Sequence, residues 1–138
     1  PQYATAYNNR GHCWQALEDS DKALADFNEA LRLNPDDVDT LTSRGVLWEE
    51  LGEFEKAVED YSEAIRVTPD DAWTYNQRGL VWYQLGEYRK AIDDYTESIR
   101  LDPEDPITYE NRGLAWEAQG DTAKADADFA KSKELFGE

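Results

Sequence analysis

The stretch Ala72–Asp105, AWTYNQRGLVWYQLGEYRKAIDDYTESIRLDPED, decides the fold, because its landmarks recur at a step of 34 residues on both sides. Arg78 and Gly79 are matched by Arg10 and Gly11, Arg44 and Gly45, and Arg112 and Gly113. Trp14, Trp48, Trp82 and Trp116 keep the same step, as do Ala23, Ala57, Ala91 and Ala125, and the aromatics Phe27, Tyr61, Tyr95 and Phe129. A period of this length marks supersecondary units that bury a continuous core only by stacking on their neighbours. Within the quoted stretch, Tyr75, Gly79, Trp82 and Leu85 share one helical face, and Tyr88, Ala91, Ile92, Tyr95, Ser98, Ile99 and Leu101 form the stripe of a second helix. Gly86 lies between them with the freedom to take the left-handed conformation that ends a helix. Asp37 and Asp71 suit the N-caps of following helices, Asp105 precedes Pro106 at a first helical position, and Pro35, Pro69 and Pro103 stop each second helix.

The order of Tyr75, Gly79, Trp82, Leu85-Gly86, Tyr88, Ala91, Tyr95, Ser98 and Pro103 resembles the tetratricopeptide repeat. The resemblance implies an all-α protein, an α-solenoid of four helix-turn-helix repeats in a right-handed superhelical array. It divides residues 1–138 as one domain with repeats 4–37, 38–71, 72–105 and 106–138.

Two recurrent features belong to this chain in particular. Each Arg stands before its Gly where the family more often carries an apolar residue, and Asp26, Asp60, Asp94 and Asp128 follow sixteen residues later. This spacing predicts an Arg–Asp ladder between paired helices, with Lys22, Lys56, Lys90 and Lys124 as competing partners for the acids. The repeated glycine, which costs about 1 kcal/mol in a helix interior, is expected to face the alanine column so that two helices approach closely. The tryptophan column is expected in the core.

Composition narrows the function. There are 31 acids against 14 bases, a net charge of −17. Such a field repels nucleic acid and anionic membrane surfaces and favours basic or neutral-apolar polypeptide partners. No apolar run reaches the length of a membrane span. The sequence opens without Met and inside a helical pattern, as an excised segment would, so localisation stays open with the cytoplasm as default.

Catalytic and metal chemistry have no footing. Cys13 is the single cysteine and His12 the single histidine. They are adjacent on a helix and point about 100° apart, so they do not form a nucleophile–base pair, and zinc lacks a ligand set. Cys13 aligns with Leu47, Val81 and Ala115 and is expected to be buried. Asp19-Ser20-Asp21 begins like a calcium loop but has Leu24 where the glycine belongs. No cofactor is expected, and the chain is expected not to be an enzyme.

The resemblance implies that the first helix of each repeat lines a concave peptide-binding groove. Carried over by position, that groove comprises Asn8, Asn9 and His12; Asp39, Ser43, Glu49 and Glu50; Trp73, Asn76, Gln77, Leu80 and Tyr83; and Glu110, Asn111 and Leu114. The set is rich in carboxamides, which both donate to and accept from a peptide backbone. It offers Trp73 as an aromatic anchor and contains no Lys or Arg. Relatives that grip the acidic tails of heat-shock chaperones hold them with cations; Asn8, His12, Ser43, Trp73 and Gln77 stand at those positions here, so that role is not expected. The expected function is a protein-interaction scaffold. The alternatives are an assembly protein stacking head to tail, or a regulatory or targeting segment of a larger protein. The ends differ from the middle: Glu18 replaces the turn glycine of the first repeat, which makes that turn irregular, and the polar last helix is expected to act as its own cap.

Overall fold

The structure, a computed structural model, describes residues 2–137. Among these residues there are eight helices and no strand. They run α1 (Gln2–Ala16), α2 (Ser20–Leu33), α3 (Val38–Glu50), α4 (Phe54–Val67), α5 (Ala72–Gln84), α6 (Tyr88–Leu101), α7 (Pro106–Ala118) and α8 (Thr122–Phe136). Each repeat is a helix–turn–helix pair, and the chain is an all-α helical-repeat solenoid. It comprises two compact units, Pro1–Pro69 with α1 to α4 and Asp70–Glu138 with α5 to α8.

The helix boundaries follow from local chemistry. Asp71 accepts a hydrogen bond from the Thr74 amide at 3.2 Å, and Asp105 accepts from the Ile107 and Thr108 amides at 3.0 and 3.2 Å, with Pro106 opening α7. Asp37 caps α3 differently, through the Thr40 hydroxyl. Thr40, Thr74 and Thr108 are fully buried beneath these caps, a recurrence that hydrophobic periodicity does not reveal. Asp19, the first residue of the calcium-like stretch, is the N-cap of α2 and accepts from the Lys22 amide. Gly52, Gly86 and Gly120 take left-handed φ values of 74°, 76° and 84° at the turns. Glu18 takes the same conformation at φ 59°. The first turn is therefore regular but strained, since a side chain in this region costs roughly 1–2 kcal/mol that glycine avoids.

Packing inside a repeat departs from expectation in two respects. The glycines face rings, not the alanine column. A Cβ on Gly45 would lie 2.9 Å from Cε1 of Tyr61, and one on Gly79 2.7 Å from Cε1 of Tyr95. Gly11 and Gly113 stand in the same relation to Phe27 and Phe129. The aromatic of the second helix sits against the bare backbone of the first, and Phe27, Tyr61 and Tyr95 are among the largest fully buried side chains.

The four tryptophans of the repeating column are only half-buried. Each carries a lysine ammonium over its ring: Lys22 on Trp14, Lys56 on Trp48, Lys90 on Trp82 and Lys124 on Trp116, at 4.1 to 4.5 Å from the centroid. The same lysines reach back to the acid that starts their own helix, as in Lys22 to Asp19 at 2.6 Å and Lys124 to Asp121 at 2.7 Å. They are therefore not partners of the ladder aspartates. A half-exposed indole leaves room for a long apolar stem and its charge, and the helix geometry places the lysine there.

The ladder itself is present in all four repeats. Arg10, Arg44, Arg78 and Arg112 each grip Asp26, Asp60, Asp94 and Asp128 with Nε and Nη2, at 2.6 to 2.8 Å. Two arginines also bridge repeats. Arg44 Nη1 donates to Asn28 Oδ1 at 2.6 Å, and Arg112 Nη1 donates to Thr96 Oγ1 at 3.2 Å. The ladder thus ties the two helices of a repeat to each other and, in α3 and α7, to the second helix of the repeat before.

Candidate peptide-binding faces

In the first unit, α1 and α3 lie side by side and present polar groups that touch across the gap. Gln15 Nε2 donates to Glu50 at 3.2 Å. Ser43 Oγ donates to the Asp39 carbonyl at 2.6 Å and lies 3.2 Å from His12 Nε2. With the hydroxyl proton committed to Asp39, the histidine ring is the donor to Ser43. The His12 ring also meets the Phe27 ring edge-on, with centroids 5.4 Å apart. Asn9 and Asp39 are exposed, and Asn8 is half-buried with its Oδ1 shielded from solvent and unpartnered among the described residues.

Glu49 behaves differently from its neighbours. It is half-buried and accepts a hydrogen bond from the hydroxyl of Tyr61, whose ring is fully buried. Burial pushes the Glu49 carboxyl above the ordinary carboxylate range; the Tyr61 hydrogen bond opposes this and the Glu50 charge adds to it. The Tyr61 hydroxyl is driven upward by the same burial and by its bond to Glu49. Glu49 is therefore held by the core and Glu50 faces the solvent, although the two are adjacent in the chain.

In the second unit, α5, the end of α6 and the start of α7 enclose a cavity of about 560 Å³. Trp73, Asn76, Gln77, Leu80, Ile107 and Asn111 line it. The Asn111 carboxamide donates to Asn76 Oδ1 at 3.1 Å, which fixes two of these groups across the gap between α5 and α7. Trp73 is 47% exposed and Ile107 53%, large exposed apolar surfaces. Asp102 and Asp105 supply carboxylates at one margin, and no Lys or Arg is among the lining residues.

The groove residues expected from the sequence thus fall into several settings. Trp73, Asn76, Gln77, Leu80 and Asn111 come together in one cavity. His12, Ser43, Asp39 and Glu50 form the polar strip of the first unit. Tyr83 packs against the core cluster of Ala91 and Tyr95 and tilts onto Tyr88 at 5.2 Å. Leu114 is 40% exposed and lies outside the cavity lining. Glu110 lines a different cavity with Phe129, Ser132, Lys133 and Phe136. Asp102 and Asp105 had no place in the expected set; they belong to the turn between α6 and α7, which only the folded chain brings beside Trp73.

Two family patterns match the sequence. The one described as "Tetratricopeptide repeat" covers residues 4–37 and 72–105, and the one described as "TPR repeat" covers residues 49–86. The chain belongs to the tetratricopeptide repeat family. Members of this family are protein-interaction scaffolds, and that general role extends to this chain. No curated protein matches it. Among solved structures, "Crystal structure of MamA" superposes with a TM-score of 0.93 at 23% identity, covering 97% of this chain and 78% of that one. MamA 41-end from Desulfovibrio magneticus RS-1 gives 0.89 at 22%, covering 96% and 75%. A tetratricopeptide repeat protein from Parabacteroides merdae ATCC 43184 gives 0.91 at 22%, covering 98% of this chain and 54% of that one. At these identities the likeness is one of fold. Among the described residues no helix of this TPR chain is long and apolar enough to cross a membrane, and no cluster of potential metal ligands occurs.

Proposed function

We propose that this TPR chain is a non-catalytic scaffold that captures polypeptide segments on the first-helix faces of its repeats, with the cavity between α5 and α7 of the second unit as the anchoring site. The observation that carries this reading is the combination of exposed Trp73 and Ile107 with the fixed carboxamides Asn76 and Asn111 and the absence of any cation from the lining. Aromatic and branched apolar anchors supply most interface energy, and carboxamides pair with a peptide backbone in either sense. Carboxylates without cations reject acidic ligands and favour basic or neutral-apolar ones. The polar strip of His12, Ser43 and Glu50 adds hydrogen-bonding capacity of the same kind.

The test is selection of binders from a short random-peptide library on the intact chain, with a Trp73→Ala variant as the counter-selection. Enrichment of peptides that pair Lys or Arg with a bulky apolar residue, lost on Trp73→Ala, is the expected result. Peptides enriched in Asp and Glu, or binding indifferent to Trp73→Ala, overturn it.

A further inference from the structure

The outer face of α1 is exposed and differs in chemistry from the cavity of the second unit. In α3 and α7, the helix face turned toward the preceding repeat is covered. Thr40 and Leu47 on α3, and Thr108 and Ala115 on α7, are at most 1% exposed. Their counterparts on α1 are Ala6 and Cys13, and both are exposed. Cys13 was expected to be buried because Leu47, Val81 and Ala115 are; those helices share its sequence column but not its surroundings. With Tyr3 at 78% exposure, residues 3, 6 and 13 make one unpartnered stripe on α1, and Leu17, 69% exposed, follows it in the turn after the helix. A cavity of about 270 Å³ lies along it, lined by Tyr3, Ala6, Tyr7 and Arg10.

Arg10 shows what is missing. Its Nε and Nη2 hold Asp26 like every other arginine of the ladder. Its side chain is nevertheless 59% exposed, against 22% for Arg44 and 18% for Arg112. Arg44 Nη1 has Asn28 and Arg112 Nη1 has Thr96, whereas Arg10 Nη1 has no acceptor among the described residues. In both covered cases the covering helix has one pattern: an aliphatic residue, a neutral oxygen-bearing residue four later, and an aliphatic residue three after that. It is Leu24, Asn28, Leu31 on α2 and Ile92, Thr96, Ile99 on α6. Leu24 packs in the cluster of Leu47, Leu31 in that of Leu41, and Ile92 in that of Ala115.

We infer that the outer face of α1 docks an amphipathic helix of that pattern from a partner polypeptide, its Asn, Ser or Thr accepting from Arg10 Nη1 and its aliphatic residues covering Ala6, Cys13 and Leu17. The occupant is not the last helix of a second copy. On α8 the three pattern positions are Asp126, Ala130 and Lys133, which bring a charge, no acceptor and a second charge to an apolar stripe. Burying such unpaired charges is costly.

Cys13 is the sole thiol and so reports directly on cover. The experiment measures its reaction rate with a thiol reagent in the intact chain while a synthetic peptide of residues 88–105 is titrated in. Protection of tenfold or more is expected at saturation, with none from the same peptide carrying Ile92→Asp, Thr96→Ala and Ile99→Lys. None is expected either when the intact chain carries Ala6→Glu and Leu17→Glu, whose far-ultraviolet circular dichroism should be unchanged. Absence of protection by the first peptide, or equal protection by the altered one, overturns the inference. So does protection that grows with protein concentration alone together with a doubling of mass, which would make a second copy the occupant. Each result is independent of the cavity between α5 and α7, because Trp73→Ala leaves the α1 face untouched.

Discussion

Arg44 clasps Asp60 through two hydrogen bonds, Nε at 2.8 Å and Nη2 at 2.6 Å, across the gap between α3 and α4. The Asp60 side chain is 6% exposed and that of Arg44 is 22%. Both charges have therefore lost most of their water, and each depends on the other for compensation. The third nitrogen reaches Asn28, so a single guanidinium joins three helices.

Breaking this pair on one side should cost more than removing it altogether. Asp60→Ala leaves a largely buried guanidinium facing nothing, and a loss of about 3 kcal/mol is expected. Arg44→Leu combined with Asp60→Ala should recover most of that loss, because an apolar residue stands at the Arg position in many repeats of this family. Urea denaturation of the wild type, both single variants and the double variant provides the cycle. Equal losses in Asp60→Ala and the double variant would contradict this account.

Gly45→Ala is expected to destabilise the chain although alanine is the better helix former. The propensity gain is about 1 kcal/mol. Against it, the new Cβ would stand 2.9 Å from Cε1 and 3.1 Å from Cζ of the fully buried Tyr61 ring. The ring is packed on all sides and also bonded to Glu49, so it cannot retreat. Overpacking of this kind costs about 1–3 kcal/mol, and a net fall in melting temperature is expected. Gly45→Ala combined with Tyr61→Leu should restore part of it by freeing the space.

Glu49 and Asp26 carry opposite pH signatures. Burial raises the Glu49 carboxyl above its ordinary value of 4.5, so the folded state holds a proton that the unfolded state releases. Its ionisation opposes folding above the raised value, and the penalty disappears as pH falls to the unfolded value. Glu49→Gln keeps an acceptor for Tyr61 and has no charge to desolvate. It should melt higher than the wild type at pH 7, with the difference gone at about pH 4. Asp26 is the reverse case. The Arg10 hydrogen bonds hold it below its ordinary value of 3.8 despite opposing desolvation, so its contribution is complete above that value and is lost as acid protonates it. Thermal melts of Asp26→Asn and Glu49→Gln across pH 3–7 should both separate from the wild type at the neutral end, Asp26→Asn below it and Glu49→Gln above it, and both should approach it as the pH falls. Parallel curves would refute the assignment.

Much was legible in the chain before folding. The step of 34 residues sets eight helices, their caps and turns, and the pairing of Arg with Asp sixteen positions on, because these depend on local periodicity and on the constant geometry of a helical hairpin. The glycine column was legible as a close approach, but not as a seat for a ring, since spacing does not say which opposite residue lies at the same height. The tryptophans illustrate a related limit. Their hydrophobicity argues for the core, whereas the lysine stem laid over each one covers it from outside.

For the candidate site the division is sharper. Asn76, Gln77, Leu80 and Asn111 were identifiable by position in the repeat, but Asp102 and Asp105 joined them only because the α6–α7 turn passes beside Trp73. Cys13 and Leu47 occupy the same column of the sequence and differ in burial, because cover is supplied by a neighbouring element and not by the residue. The amino-acid sequence by itself determined which surfaces each repeat makes. Tertiary packing decided which of those surfaces were consumed by stacking and which stayed open, since desolvation is a property of what lies opposite a side chain and no local pattern encodes it.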